Sequence, residues 1–139
     1  MRRMKIIGLT LFSLLFFTVA AFASDNAVKI GEKEGLGNYL TDAAGMTLYW
    51  FKKDSPGMSG CMGPCIDKWP IFYREKIDPP TGLSADDFGT ITRLDGEKQT
   101  TFRDYPLYYW IGDRMAGDTT GNGVGNVWFV IDPAAFPPW

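Results

Sequence analysis

Met58, Cys61, Met62 and Cys65 put four sulfur atoms within eight residues. With both thiols reduced, that set would suit Cu(I). In an oxidising compartment the same two cysteines, the only two in the chain, would close a disulfide instead. Their Cys-x-x-x-Cys spacing lets one turn bring the Cα atoms within bonding range. A redox pair of the usual kind has two intervening residues and a thioredoxin-like βαβ frame; three intervene here, and no such frame surrounds them. The structural disulfide Cys61–Cys65 is therefore the expectation, with Met58 and Met62 capping apolar surface beside it.

Oxygen ligands and acids form the second group. Asp54 and Asp113 would serve as acid and base only if a fold set them a few ångströms apart in a cleft. Otherwise each carboxylate accepts N–H bonds from the turn that follows it. Asp118-Thr119-Thr120-Gly121-Asn122-Gly123 begins like a calcium loop, but its twelfth place is Phe129, not Glu, and its flanks read as strands. That excludes an EF-hand. It leaves a weak calcium site on Asp113, Asp118 and Asn122 as the one metal reading here, against a plain glycine turn. No Gly-Lys-Ser/Thr follows, so this is not a phosphate loop. The chain has no histidine. Ser-His-Asp and Cys-His catalysis, His-ligated zinc, blue copper and His-ligated haem are excluded with it. No catalytic set remains, and no cofactor is expected.

The elements that would position these residues come from a repeat. Shifted by 59, the sequence lays Leu48-Tyr49 on Leu107-Tyr108, Asp54 on Asp113 and Trp69 on Trp128 without a gap. Self-similarity at such a period predicts two copies of one supersecondary unit that need each other for a core. The copies run over about 39–73 and 91–131, joined by a linker at 74–94 containing the turn Asp78-Pro79-Pro80-Thr81-Gly82. Short antiparallel strands are expected throughout, with Gly-rich loops. Hairpins are predicted at Tyr39–Phe51, around Asp42–Gly45, and at Thr90–Phe102, around Asp95-Gly96-Glu97. Leu107–Ile111 and Val127–Ile131 suit strands by propensity. Ser84 would cap one short helix, and the tail 133–139, with its three prolines, would lie extended over the body. The fold class is all-β, a small sandwich or a partly open barrel.

Each repeat carries a hexad of the form Tyr, any, aromatic, any, any, Asp: Tyr49 to Asp54 and Tyr108 to Asp113. With Cys61 to Cys65, Trp69-Pro70, the glycine loop 121–125 and Val127-Trp128, these hexads resemble a bacterial secreted-repeat family. That family is described as predicted lipoproteins with a Tyr-x-(Phe/Trp/Tyr)-x-x-Asp motif. The resemblance covers about residues 39–131. It implies a fold and an extracytoplasmic location rather than an activity, since the family's biochemical role is not established. In a strand, Tyr49 and Phe51 would share one face, as would Tyr108 and Trp110. These aromatics would build the core between the repeats.

The first residues complete the expectation. Met1-Arg2-Arg3-Met4-Lys5 is a basic n-region, residues 6–19 are almost wholly apolar, and Ala21-Phe22-Ala23 ends in a cleavage pattern. This reads as a signal peptide, residues 1–23. No lipidated cysteine follows it, so the mature chain 24–139 would be one domain, periplasmic or secreted, without stable membrane insertion. Losing Arg2, Arg3 and Lys5 leaves 11 basic against 16 acidic residues, a net charge of −5. Nucleic acid is a poor partner for such a surface. An exported, non-enzymatic binding or interaction module is expected, with an envelope protein or a small ligand as partner. The alternatives are a periplasmic redox-associated protein working through the sulfur cluster, and a purely structural envelope repeat.

Overall fold

A computed structural model describes residues 15–19 and 24–138. The basic n-region and the cleavage site after Ala23 lie outside the described residues. Of the apolar run, Leu15, Phe16, Phe17 and Val19 are exposed.

Among the described residues, seven short strands make three antiparallel sheets. β1 (Lys29–Lys33) pairs with β2 (Gly37–Thr41). β4 (Phe88–Thr92), β5 (Lys98–Phe102) and β6 (Tyr105–Pro106) form the second sheet. β3 (Tyr49–Phe51) pairs with β7 (Trp128–Val130) across the full length between the repeats. None of the three closes into a barrel. Among the described residues there are also one short helix, α1 (Pro64–Lys68), and two 3-10 turns, Ala85–Asp87 and Val124–Asn126.

The repeat extends further than the sequence indicates. β1 and β4 stand 59 residues apart, so each repeat opens with its own hairpin. β1 carries Lys29, Glu32 and Lys33 and is exposed on most of its length, which hides it from an alternation rule built on half-buried strands. The hairpin around Asp95-Gly96 forms as expected, with Gly96 at φ 85° supplying the left-handed position. Ser84 caps the 3-10 turn with a full capping box to Asp87.

Two strand expectations are corrected. Tyr39–Phe51 is not one hairpin. The turn at Asp42–Gly45 is present and Thr41 bridges Thr47, but Tyr49–Phe51 leaves its own repeat to pair with β7. Leu107–Ile111 is not a strand: Tyr108 makes isolated bridges to Tyr49 and Ile71. The bonds Tyr109 N–H to Pro70 O and Ile111 N–H to Lys68 O still mirror the β3–β7 ladder at a shift of 59. Pro70 has no N–H to return, so the second ladder cannot become regular.

Strand alternation divides the interior in two. Leu48 and Trp50 face one cluster with Leu40, Phe72, Phe102, Leu107, Ile131 and Phe136. Tyr49 faces the other, with Cys61, Trp69, Tyr108 and Trp128, against which Phe51 and Trp110 pack. The tail contributes Phe136 to the first cluster.

Candidate functional site

The two hexads meet at a local pseudo-twofold axis. Tyr49 N–H donates to Tyr108 O at 2.8 Å, and Tyr108 N–H donates to Tyr49 O at 3.0 Å. From that bridge both phenols enter the interior and both are fully buried. Each hydroxyl crosses to the other repeat's carboxylate. Tyr49 Oη donates to Asp113 Oδ2 at 2.6 Å, and Tyr108 Oη donates to Asp54 Oδ2 at 2.7 Å.

A buried phenol needs a partner, and each finds it in the other repeat. Both aspartates follow a tight turn after the hexad aromatic, closed by Asp54 N–H to Phe51 O at 2.9 Å and by Asp113 N–H to Trp110 O at 3.1 Å.

The remaining carboxylate oxygens tie down the loops that follow. Asp54 Oδ1 accepts from Gly60 N at 2.6 Å; Asp113 Oδ1 accepts from Thr120 N at 2.9 Å and Thr120 Oγ1 at 2.7 Å. The turn-acceptor role expected of both aspartates is therefore the one they have. They share no hydrogen-bond partner. Tyr49 Oη also accepts from Gly121 N at 3.1 Å.

Aromatic rings repeat the same symmetry. Phe51 stacks on Trp128 at 4.2 Å between centroids, and Trp110 packs on Trp69 at 4.2 Å. The two tryptophans stack on each other at 3.8 Å with planes 3° apart. Tyr49 meets Trp69 edge-on at 5.5 Å, and Tyr108 meets Trp128 edge-on at 5.0 Å. Thus all eight motif residues singled out by the sequence, Tyr49, Phe51, Asp54, Trp69, Tyr108, Trp110, Asp113 and Trp128, converge on one structure.

The sulfur cluster does not assemble as a thiolate set. Cys61 and Cys65 are joined in a disulfide with Cα atoms 5.3 Å apart, and neither thiol is free. The bond ties the segment ahead of α1 to its second residue, Cys65, and the helix is entered by Gly63 at φ 54° and begun by Pro64. Met62 Sδ accepts from the Arg93 guanidinium at 3.3 Å, and Met58 is exposed. Of the calcium candidates, Asp113 is spent as above, Asp118 Oδ2 accepts from Arg114 N and Met115 N, and Asn122 Oδ1 accepts from Val130 N. Among the described residues no three His, Cys, Asp or Glu side chains group in a way that would hold a metal ion.

Arg93 is the member that sequence reasoning missed. Its side chain is fully buried. It donates to Cys61 O at 2.6 Å, Ser59 Oγ at 2.7 Å and Gln99 Oε1 at 2.6 Å, and it pairs with Asp95 at 3.0 Å. Ser59 Oγ lies 2.6 Å from Tyr108 Oη. Because the single phenol proton goes to Asp54, Ser59 is the donor in that contact. A polarised chain therefore runs from Arg93 through Ser59 and Tyr108 to Asp54. Burial pushes the Asp54 carboxyl up to about 6, against the opposing pull of the Gly60 N–H, the Tyr108 hydroxyl and the Arg93 charge. Burial and the facing carboxylates raise both phenols above their usual value, Tyr49 beside Asp113 and Tyr108 beside Asp54.

A cleft of about 510 Å³ opens beside β3 and β7. Trp50, Phe129 and Phe136 form its apolar wall, and exposed Lys52, Asn122 and Asp132 stand around it.

No helix among the described residues is long and apolar enough to cross a membrane. Comparison with curated proteins and with solved structures gave no match. The profile of a family described as a secreted repeat of unknown function matches twice, at residues 33–72 and 89–132. Those two segments are the ones joined by the crossed Tyr–Asp bonds, and together they make up more than half of the chain, which therefore belongs to this secreted-repeat family.

Proposed function

We propose that this protein is an exported, non-enzymatic binding module of the bacterial envelope, periplasmic or secreted after cleavage at Ala23, and that it takes a small ligand in the cleft beside β3 and β7. The observation that carries this reading is how the motif residues are spent. Both hexad tyrosines and both aspartates are buried and bonded to one another, and every buried side-chain polar atom among the described residues has a partner. The motif therefore builds the scaffold, and recognition falls to the cleft. Its size lies in the range of small-molecule sites, about 300–1,000 Å³. An apolar wall with one cation, one anion and one amide around it favours a flat apolar body carrying a charged group.

Amide and indole N–H resonances of the cleaved protein, titrated with a set of aromatic carboxylates and aromatic zwitterions, test this. The expected result is saturable shifts at Trp50, Lys52, Phe129 and Val130, with Lys52→Ala weakening carboxylate binding by about tenfold, which corresponds to ~1.4 kcal/mol. Saturable binding that maps away from the cleft, or turnover of any compound, would overturn the reading.

A further inference from the structure

We infer that the four-ring stack between the repeats is a relay for one-electron oxidation, ending on Tyr49 and Tyr108 with Asp113 and Asp54 as their proton acceptors. Ring pairs ordinarily prefer offset or edge contacts with centroids about 4.5–7 Å apart. Trp69 and Trp128 instead lie nearly parallel at 3.8 Å, and Trp110 continues the stack at 4.2 Å. Trp110 is half-buried, so this end is reachable from the surface, while Trp69 and Trp128 are inside. Phe51 caps the far end on Trp128. Indole is far easier to oxidise than a phenyl ring, so the active path has three members. Close π overlap spreads a missing electron over both central indoles and lowers the cost of placing it there.

Each central indole then touches a phenol, Trp69 with Tyr49 and Trp128 with Tyr108. A phenol yields an electron readily only if its proton leaves at the same time. Here each proton already points at a carboxylate oxygen 2.6–2.7 Å away, within the reach that proton transfer requires. A high-potential one-electron oxidant at the surface takes one electron from Trp110. The vacancy passes to Trp69 and Trp128, and Tyr49 fills it. The Tyr49 Oη–H bond breaks as Asp113 Oδ2 takes the proton. The products are the reduced oxidant, a neutral Tyr49 radical and protonated Asp113; Tyr108 and Asp54 are the equivalent pair on the other branch. The reverse sequence returns the electron when a reductant is present.

Flash-quench oxidation of the purified protein with photogenerated tris(bipyridine)ruthenium(III), followed by transient absorption and electron paramagnetic resonance, tests the relay. A neutral tyrosyl radical should form as a tryptophan radical decays. It should fall in Tyr49→Phe and in Tyr108→Phe and vanish in the double variant. Asp113→Asn should slow the Tyr49 branch by about tenfold or more, since it removes the proton acceptor. Trp110→Phe, at the accessible end, should lower the radical yield while leaving the melting temperature near that of the parent. Formation of the radical at an undiminished rate and yield in the Tyr49→Phe/Tyr108→Phe double variant, or in Trp110→Phe, would overturn the inference.

Discussion

The loops that follow the two aspartates start from equivalent places and are held by opposite means. The first, after Asp54, is closed by Cys61–Cys65, wound into α1 and anchored on a fully buried guanidinium. The second, after Asp113, has neither disulfide nor α-helix, and relies on glycines at 117, 121, 123 and 125. Where the first loop receives Arg93, the second receives Lys33, whose Nζ donates to Gly117 O and Thr119 Oγ1 at 3.1 Å each. Lys33 is exposed, while Arg93 is inside. The contacts at the loop bends reach equivalent acceptors from donors one residue out of register: Gly57 N–H donates to Asp104 O, and Gly117 N–H donates to Gly45 O. One architecture is thus kept at the axis by matching crossed Tyr–Asp bonds and elaborated at the rim by different ones. The difference teaches which residues the repeat requires and which each copy is free to vary.

The comparison breaks most visibly at the axis itself. Tyr49→Ala and Tyr108→Ala should each destabilise by about 3–5 kcal/mol, the range for removing a large buried aromatic. The two values should agree closely, because the residues hold equivalent places. Urea unfolding followed by tryptophan fluorescence reads both. A loss confined to one variant would mean that the symmetry seen in the rings and hydrogen bonds is not energetic.

Away from the axis the copies should part. Arg93→Ala leaves Cys61 O, Ser59 and Gln99 without their buried donor, and should cost about 3–5 kcal/mol. Lys33→Ala removes exposed bonds, and should cost well under ~1 kcal/mol. Equal losses in the same unfolding measurement would contradict the assignment of Arg93 as the anchor of the first loop.

Acid should sharpen the contrast. Asp54 has a folded-state value of about 6 against an ordinary 3.8. The folded protein therefore holds a proton that the unfolded chain has already lost between those values. This contribution to stability is full below pH 3.8 and disappears as pH rises through 6. The loss is at most about 3 kcal/mol at 1.36 kcal/mol per unit, less whatever water reaches the carboxylate. Asp54→Asn should flatten the decline in melting temperature across that window. A decline of unchanged size in the variant would place its origin elsewhere.

The disulfide carries a smaller effect than the axis, Arg93 or Asp54. Replacing Cys61 and Cys65 together by Ser should lower stability by about 2 kcal/mol, since a loop that short restricts the unfolded chain only modestly. The fold should survive, because the crossed tyrosines do not depend on the disulfide. A double variant that fails to fold would show that the first loop organises the axis rather than decorating it.

Much of this was legible from residue type and spacing. The hexads, the disulfide, the Asp95-Gly96 hairpin, the Ser84 cap and the strand around Trp128 all announce themselves through local chemistry. β1 does not, because its lysines and glutamate leave no apolar face to read. α1 does not, because five residues are too few for a helical period and its order comes from Gly63, Pro64 and the disulfide. Arg93 reads as one more surface charge, since nothing local shows that its partners, Cys61 O and Ser59, lie more than thirty residues earlier. The crossing of tyrosine and aspartate is not local either: each Asp follows a turn after its own hexad's aromatic, and only the bridge between Tyr49 and Tyr108 shows which carboxylate each phenol meets.

A double-mutant cycle on that crossing tests the account most directly. Tyr49→Phe and Asp113→Asn, alone and together, should show a coupling of about 1 kcal/mol or more, as expected for groups in direct hydrogen-bond contact. Tyr49→Phe combined with Asp54→Asn, the aspartate of its own hexad, should be additive within about 0.5 kcal/mol. Coupling within the hexad and additivity across the repeats would contradict the exchange of partners on which the whole structure is built.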